Sequence, residues 1–278
     1  MTAKTWFITG INSGFGRQLT EQLLERGDYV AGTIRKLDAV DDLKQKYGAR
    51  LWTAHLDVTE STEVHEVVNK AFTALGKIDV VVNNAGYGLF GTAEELTDEL
   101  LHNQINTNLI GSIQVVRAAL PHLRRQGGGR ILQLSTYGGQ AVNPGAGMYH
   151  ATKWGIEGFM ESTALDVAPF NIGITIVEPG GARTEFRYGS AKITPKNEAY
   201  EISPANMTRQ FIEGAPSLSL GDPVKMAKAM IDSVDQQPAP KRLVLGSDSY
   251  RAIHKALTER LAELELQKDT SAATDFIE

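Results

Sequence analysis

Residues 5–16 read TWFITGINSGFG. The first five are aromatic, β-branched or apolar, and they run straight into Gly10, which interrupts regular structure. Beyond Gly14 the period changes: Leu19 and Leu23 recur four apart in a run that reaches Arg26, so both share one helix face. A strand, a glycine-bearing turn and a helix make the first half of a βαβ unit. In that turn, Gly10, Asn12, Ser13, Gly14, Phe15 and Gly16 can bring backbone amides against a pyrophosphate, whose charge the helix N-terminus favours. The spacing departs from Gly-x-Gly-x-x-Gly, so by itself the turn reads as a dinucleotide cradle or as a structural turn.

The same unit repeats along the chain. Strands are expected at 29–33, 51–56, 80–82, 130–134, 172–178 and Arg242–Leu245, and the wholly apolar Val80-Val81-Val82 suits a strand covered on both faces. Between them lies a helix with Ser61 as N-cap and Val64, Val67, Val68, Ala71, Phe72 and Leu75 on one face, then helices over 97–125, 222–234 and 250–266. Alternation at this spacing predicts the α/β class: one doubly wound, Rossmann-type domain over 1–278, with a parallel sheet and ligands at its carboxyl edge. Residues 187–222 lose the period and gain Gly, Pro, Ser and Asn, with Met207, Phe211 and Ile212 as isolated apolar positions. An irregular insertion of that length reads as a substrate lid with short helices.

Chemistry gathers at the expected strand ends. After the second strand the chain reads Thr33-Ile34-Arg35-Lys36; two cations without a carboxylate favour a 2′-phosphate, hence NADP(H) over NAD(H), although Asp38, Asp41 and Asp42 also permit a solvated charged loop. Asp57, followed by Val58, can accept from an adenine amine or cap the next helix. Asn84, Ala85 and Gly86 can fix a turn beside a ligand. Residues 134–153, LSTYGGQAVNPGAGMYHATK, carry hydroxyls at Ser135 and Thr136 on a strand end, then Tyr149 and Lys153 four apart on a helix. An ammonium beside a phenol favours the phenolate, and moving Tyr from its free pKa of roughly 10 down by ~3 units corresponds to about 4 kcal/mol. Tyr149 is thus expected to handle a proton while a bound nicotinamide handles the hydride. Asn106 and Asn108 inside a helix read as ordinary surface residues.

Composition narrows the field. A net charge of −5 over 278 residues excludes a nucleic-acid surface, which needs clustered cations, and zero cysteines exclude disulfides and thiolate metal sites. No metal-ligand spacing or internal repeat is present. The N-terminus lacks a signal-peptide core, and no apolar run approaches the ~18 residues of a membrane span. A cytoplasmic protein acting on a small molecule is expected.

With Gly10, Gly14 and Gly16 after the first strand, Asn83-Asn84-Ala85-Gly86 after the fourth, Tyr149-x-x-x-Lys153 on a helix and Pro179-Gly180 after the next strand, the chain resembles the short-chain dehydrogenase/reductases from Thr5 to about Thr184. The resemblance implies about seven parallel strands, a nicotinamide cofactor and alcohol/carbonyl interconversion. It makes Tyr149 the acid/base, gives Lys153 the nicotinamide ribose and the lowering of the Tyr pKa, lets Asn108 in Asn-Leu-Ile-Gly hold a relay water, and sets Thr184 near the cofactor carboxamide. The family hydroxyl lies thirteen residues before the Tyr, where this chain has Thr136, with Ser135 as the second choice. Thr makes the same hydrogen bond with a stiffer, bulkier side chain. Ser13 stands where some NADP-using members carry a basic residue. A homo-oligomer, dimer or tetramer, paired through helices near 97–126 and 148–167 is also implied. Leu89, Phe90, Val142, Met148 and Phe186 are candidates for an apolar substrate pocket. The competing readings are a non-catalytic NADP(H)-binding redox sensor, disfavoured by an intact Tyr, Lys and Asn set, and a nucleotide-sugar epimerase, which needs a longer C-terminal region.

Overall fold

The computed structural model describes residues 2–214 and 219–276. Its strands are β1 (Thr5–Thr9), β2 (Tyr29–Ile34), β3 (Leu51–His55), β4 (Val80–Asn83), β5 (Leu89–Phe90), β6 (Gly129–Leu134), β7 (Ile172–Pro179), β8 (Lys192–Ile193) and β9 (Arg242–Leu245). Its helices are α1 (Gly14–Arg26), α2 (Asp41–Tyr47), α3 (Ser61–Leu75), α4 (Asp98–Ile105), α5 (Gly111–Arg125), α6 (Gly147–Val167), α7 (Ala205–Glu213), α8 (Pro223–Ser233), α9 (Ser247–Glu265) and α10 (Lys268–Ala272). Seven strands form one parallel sheet in the order β3-β2-β1-β4-β6-β7-β9, and β5 pairs with β8 separately.

Side-chain alternation explains the layers. Trp6, Ile8, Val80 and Val82 face a core shared with α1 and α8, whereas Phe7, Val81 and Ile131 face one shared with α3, α5 and α6. The apolar run at Val80–Val82 is therefore buried from both sides. Connections leave β1 toward β2 and β3, and leave β4 toward β6 and β7, so the order reverses between β1 and β4. Crevices that bind ligands open at such a reversal, beyond the carboxyl ends.

Several local expectations are corrected. Ser61 is the first residue of α3 rather than its cap; Glu60 occupies the cap position without a side-chain hydrogen bond. Asp57 Oδ1 instead accepts from Thr59 N at 3.0 Å and Thr59 Oγ1 at 2.8 Å, a local turn before the helix. The helix expected over 97–125 is interrupted by a π-turn at Asn106–Ile110 between α4 and α5. Residues 187–222 hold β8, a short turn at Glu198–Tyr200 and α7, with 215–218 outside the described residues. Among the described residues no helix is long and apolar enough to cross a membrane, and no cluster of three or more His, Cys, Asp or Glu could hold a metal.

At the reversal, Asn84 staples β4 to the glycine turn: its Nδ2 donates to Thr9 O at 2.8 Å and Gly10 O at 2.9 Å, while the Asn84 and Ala85 amides donate to Thr9 Oγ1, each at 3.0 Å. Replacing Asn84 with Ala leaves two partly buried carbonyls without a donor. The expected loss is about 1–3 kcal/mol, read as a lower melting temperature.

Candidate active site

Tyr149 and Lys153 lie one turn apart on α6, both buried. The Lys153 ammonium donates to Leu134 O at 2.8 Å and stands 5.8 Å from the centre of the Tyr149 ring. Just past β6, the Thr136 hydroxyl lies near the Tyr149 phenol, donates to Pro179 O at 3.3 Å and accepts from Gly138 N at 3.4 Å. Ser135 Oγ donates to Glu157 Oε1. Successive residues of an extended chain point to opposite sides, so only one of the two hydroxyls can reach the phenol. It is Thr136.

Asn108 is not the surface residue that helix statistics suggest; it is 1% exposed at the π-turn. Its Oδ1 accepts from Tyr87 N at 3.0 Å, and its Nδ2 donates to Tyr87 O at 2.8 Å and to Thr152 Oγ1 at 3.5 Å. Both ends of the amide thus clamp the chain just after Gly86, where an added Cβ would come within 3.1 Å of Asn108 Oδ1. Asn106 is exposed. A π-turn inside a helix often marks a site where the chain must re-aim a side chain.

The expected acidification of the phenol is corrected. Burial pushes the Tyr149 phenol above its ordinary value, Tyr137 adds to this, and only the neighbouring Thr136 hydroxyl opposes it. Burial brings Lys153 down to about 8 against the pull of Glu157. Phe90, Ala146 and Ile212 enclose Tyr149, with Phe186, Ala191 and Ile193 against them. The rings of Phe90 and Phe186 are centred 5.8 and 5.9 Å from it. Deprived of water, a phenolate has no hydration to stabilise it, and the nearby ammonium is directed at a carbonyl instead. Of the apolar candidates, Leu89 and Met148 fall outside this group, and Val142 is 71% exposed.

At the cradle, Gly10 and Gly14 have φ of +73° and +54°, and a Cβ on Gly16 would lie 2.1 Å from Gly10 O. Only glycine permits that approach. Ser13 stands at the cap position of α1 with no side-chain cap bond, the first turn has no acidic residue, Phe15 packs on the first core, and Asn12 is exposed. This donor-rich, anion-free opening fits a pyrophosphate. Arg35 and Lys36 are exposed beyond β2, and neither side chain has a partner among the described residues. Asp57 keeps Oδ2 free of partners among those residues, and Val58 backs Gly111. Gly180 N donates to Leu245 O at 2.8 Å, and Thr184 returns to within 3.7 Å of a Cβ placed on Gly14. Contacts among Gly10, Thr33 and Asn84, between Thr136 and Pro179, and between Thr184 and Gly14 thus bring these segments together at the carboxyl edge of the sheet.

Sequence reasoning missed what lies behind the phenol. Arg242 is paired with Glu157, Glu178 and Glu161; Gln140 Nε2 donates to Glu178 Oε1 at 2.7 Å, and Glu178 Oε2 is buried without a partner. Burial raises the Glu178 pKa, the Glu157 charge raises it further, and Arg242 opposes both. A carboxylate in the apolar run of β7, and a Glu four residues past Lys153 on its helix face, were the available signals.

A family model described as short chain dehydrogenase matches residues 4–192. Oxidoreductase BOA17 of Botryotinia fuckeliana is 34% identical over 272 residues, covering 98% of this chain and 99% of that protein. A short-chain dehydrogenase structure from Streptomyces avermitilis superposes with a TM-score of 0.92 at 38% identity, covering 99% of this chain and all of the other. ElxO, solved with NADP bound, does so with a TM-score of 0.72 at 27% identity over 88% of this chain and 96% of its own.

Replacing Arg242 with Leu leaves two buried carboxylates without their cation, an expected loss of about 3–5 kcal/mol. Because the folded Glu178 pKa is raised, the proton it keeps contributes stability that is complete below ~4.3, the usual Glu value, and is lost as pH climbs toward the raised one. The Arg242→Leu deficit should therefore be larger at about pH 8 than at about pH 5, and Glu178→Gln should flatten that dependence in thermal melts.

Proposed function

The chain belongs to the short-chain dehydrogenase family and is a nicotinamide-dependent oxidoreductase acting on CH–OH or C=O groups; from its site we propose an NADP(H)-dependent enzyme that interconverts a carbonyl and a secondary alcohol, with Tyr149 as acid/base. The observation that carries this reading is the buried Tyr149 phenol at the carboxyl edge of the sheet, one helical turn from Lys153, whose ammonium stands 5.8 Å from the centre of its ring. The glycine cradle fits the pyrophosphate, and a bound nicotinamide supplies or accepts the hydride.

The protein side chains divide the remaining work. Thr136 orients the substrate oxygen and Tyr149 exchanges a proton with it. A phenol whose pKa is raised stays protonated, which suits donation to a forming alkoxide. Lys153, at about 8, remains largely cationic at neutral pH and can stabilise the phenolate once the proton has left. Asn108 keeps the Tyr87 backbone in place beside the crevice, and Thr152 donates to Tyr149 O at 2.8 Å, linking that brace to the catalytic turn. Ser135, held by Glu157, takes no part.

Arg35 and Lys36, both uncommitted, support a 2′-phosphate, in keeping with the NADP held by ElxO. The apolar group of Phe90, Phe186, Ile193 and Ile212 suits a substrate carbonyl with apolar substituents. Because Ile212 of α7 is part of that group, residues 187–222 serve in this reading as a lid that shifts for substrate. The assembly is a homo-oligomer.

A carbonyl and alcohol panel, followed through absorbance of the reduced nicotinamide with both cofactors, tests the reaction. Tyr149→Phe should keep NADPH binding while turnover falls by ~10²–10⁴; unchanged turnover would remove Tyr149 from the chemistry. Separately, replacing Arg35 and Lys36 with Ser should weaken NADPH by about tenfold or more per lost charged contact and leave NADH affinity nearly as it was, checked by fluorescence titration.

A further inference from the structure

We propose that α9 is a docking helix for a second copy of this chain, packed against it antiparallel about a two-fold axis near Leu257. The helix runs from Ser247 to Glu265, yet only Ser249 and Ile253 on it are buried. Tyr250, Leu257 and Leu264 recur every seven residues and Leu261 lies four past Leu257, so all four share one narrow face. They are 62, 46, 63 and 57% exposed. An apolar stripe of this period is what a helix presents to another helix.

The stripe is not free to turn inward. Arg260 lies beside it, with its guanidinium 4.9 Å above the Trp154 ring of α6 and a hydrogen bond to Gln140 O. That contact fixes the rotation of α9 and holds the leucines away from the body.

Charge selects the occupant. Arg251, Thr258 and Glu265 follow the same seven-residue spacing along one flank of the stripe, and all are exposed. Neither Arg251 nor Glu265 has an ion-pair or side-chain hydrogen-bond partner among the described residues, whereas Lys255 and Glu259 satisfy each other on the outer face at 3.8 Å. In an antiparallel pair the two-fold brings like flanks together in reversed order. Arg251 of one copy then meets Glu265 of the other, twice, with Thr258 at the centre, while Tyr250 meets Leu264 and Leu257 meets its own mate. A parallel pair would set this flank against the opposite flank of the mate and leave the Arg251–Glu265 pairing unmade. An anionic lipid surface is a poorer match, because Glu259, Glu263 and Glu265 crowd the far half of the helix.

The inference is independent of the catalytic assignment and is tested on the full chain. Light scattering should show the assembled mass of Leu257→Glu/Leu261→Glu halved relative to the natural chain, with NADPH turnover and melting temperature retained. Arg251→Glu and Glu265→Arg should each weaken association by about tenfold, and the double exchange should restore it. Because the chain has no cysteine, Leu257→Cys can be joined by a short bis-maleimide; a covalent dimer is expected there and not from Lys255→Cys on the outer face. An unchanged mass in the leucine variant, or a double charge exchange no tighter than the single ones, would overturn the proposal. Should the leucine variant fail to fold, the charge exchange alone decides. Binding of the natural chain to phosphatidylglycerol vesicles in place of self-association would assign the stripe to a membrane and overturn it equally.

Discussion

Two strands whose connections leave in opposite directions must be kept side by side, and everything chemical in this protein depends on how that is done. The gap between the ends of β1 and β4 is open by topology, since the connection leaving β1 turns toward β2 and the one leaving β4 turns toward β6. Asn84 bridges it with one amide group to two carbonyls, and Gly16 lets the start of α1 come so close that any side chain would strike Gly10 O. The amides at the helix start are left without an acceptor among the described residues, which is the condition for holding phosphate. Of the residues expected to touch a cofactor, Asn84 is better understood as the part that shapes the cradle.

The second constraint is the cost of charge away from water. The sheet edge places a phenol, an ammonium and the buried carboxyl of Glu178 near one another, and burial acts on each in the direction of neutrality. Arg242 offsets part of this for Glu178, and Glu157 offsets part of it for Lys153. Ser135 is drawn into that network and away from the phenol. The choice between two neighbouring hydroxyls thus follows from where the counter-charges lie, together with the alternation of an extended chain.

Much of the fold was legible because its signals are local and repetitive. The strands at Thr5–Thr9 and Arg242–Leu245 coincide with their expected limits, and the alternation of periods along the chain dictated a parallel sheet. The pairing of Tyr149 with Lys153 was legible because helix geometry alone puts residues four apart on one face. What could not be read depends on contacts distant in sequence. Asn108 is a surface residue by helix statistics and a buried clamp in fact, because its partner Tyr87 arrives from another element. The phenol pKa went the wrong way for the same reason: the sequence displays the neighbouring lysine, but not Phe90, Phe186 and Ile212 closing from separate segments. The helix expected over 250–266 is present as α9, whereas the exposure of its apolar face depends on the position of Trp154 and Gln140 on other elements.

The segment over the phenol is built in two unlike parts, and the difference bears on its proposed role as a lid. Next to Tyr149 it offers Ile212 and Ile193, apolar contacts that are non-directional and can re-form around a substrate of similar character. Farther out, Glu95 fastens it through directed bonds: its carboxylate accepts from Thr92 N at 2.7 Å, Asn197 N at 2.9 Å, Thr194 Oγ1 at 3.1 Å and Arg209 at 3.2 Å. Glu95 is almost wholly buried, and breaking that set would strand a charge. The apolar end is therefore the cheaper one to move. In the proposed lid role, a segment anchored at Glu95 and loose at Ile212 would uncover the phenol by pivoting and would restore a water-poor site whenever an apolar surface took the place of its own.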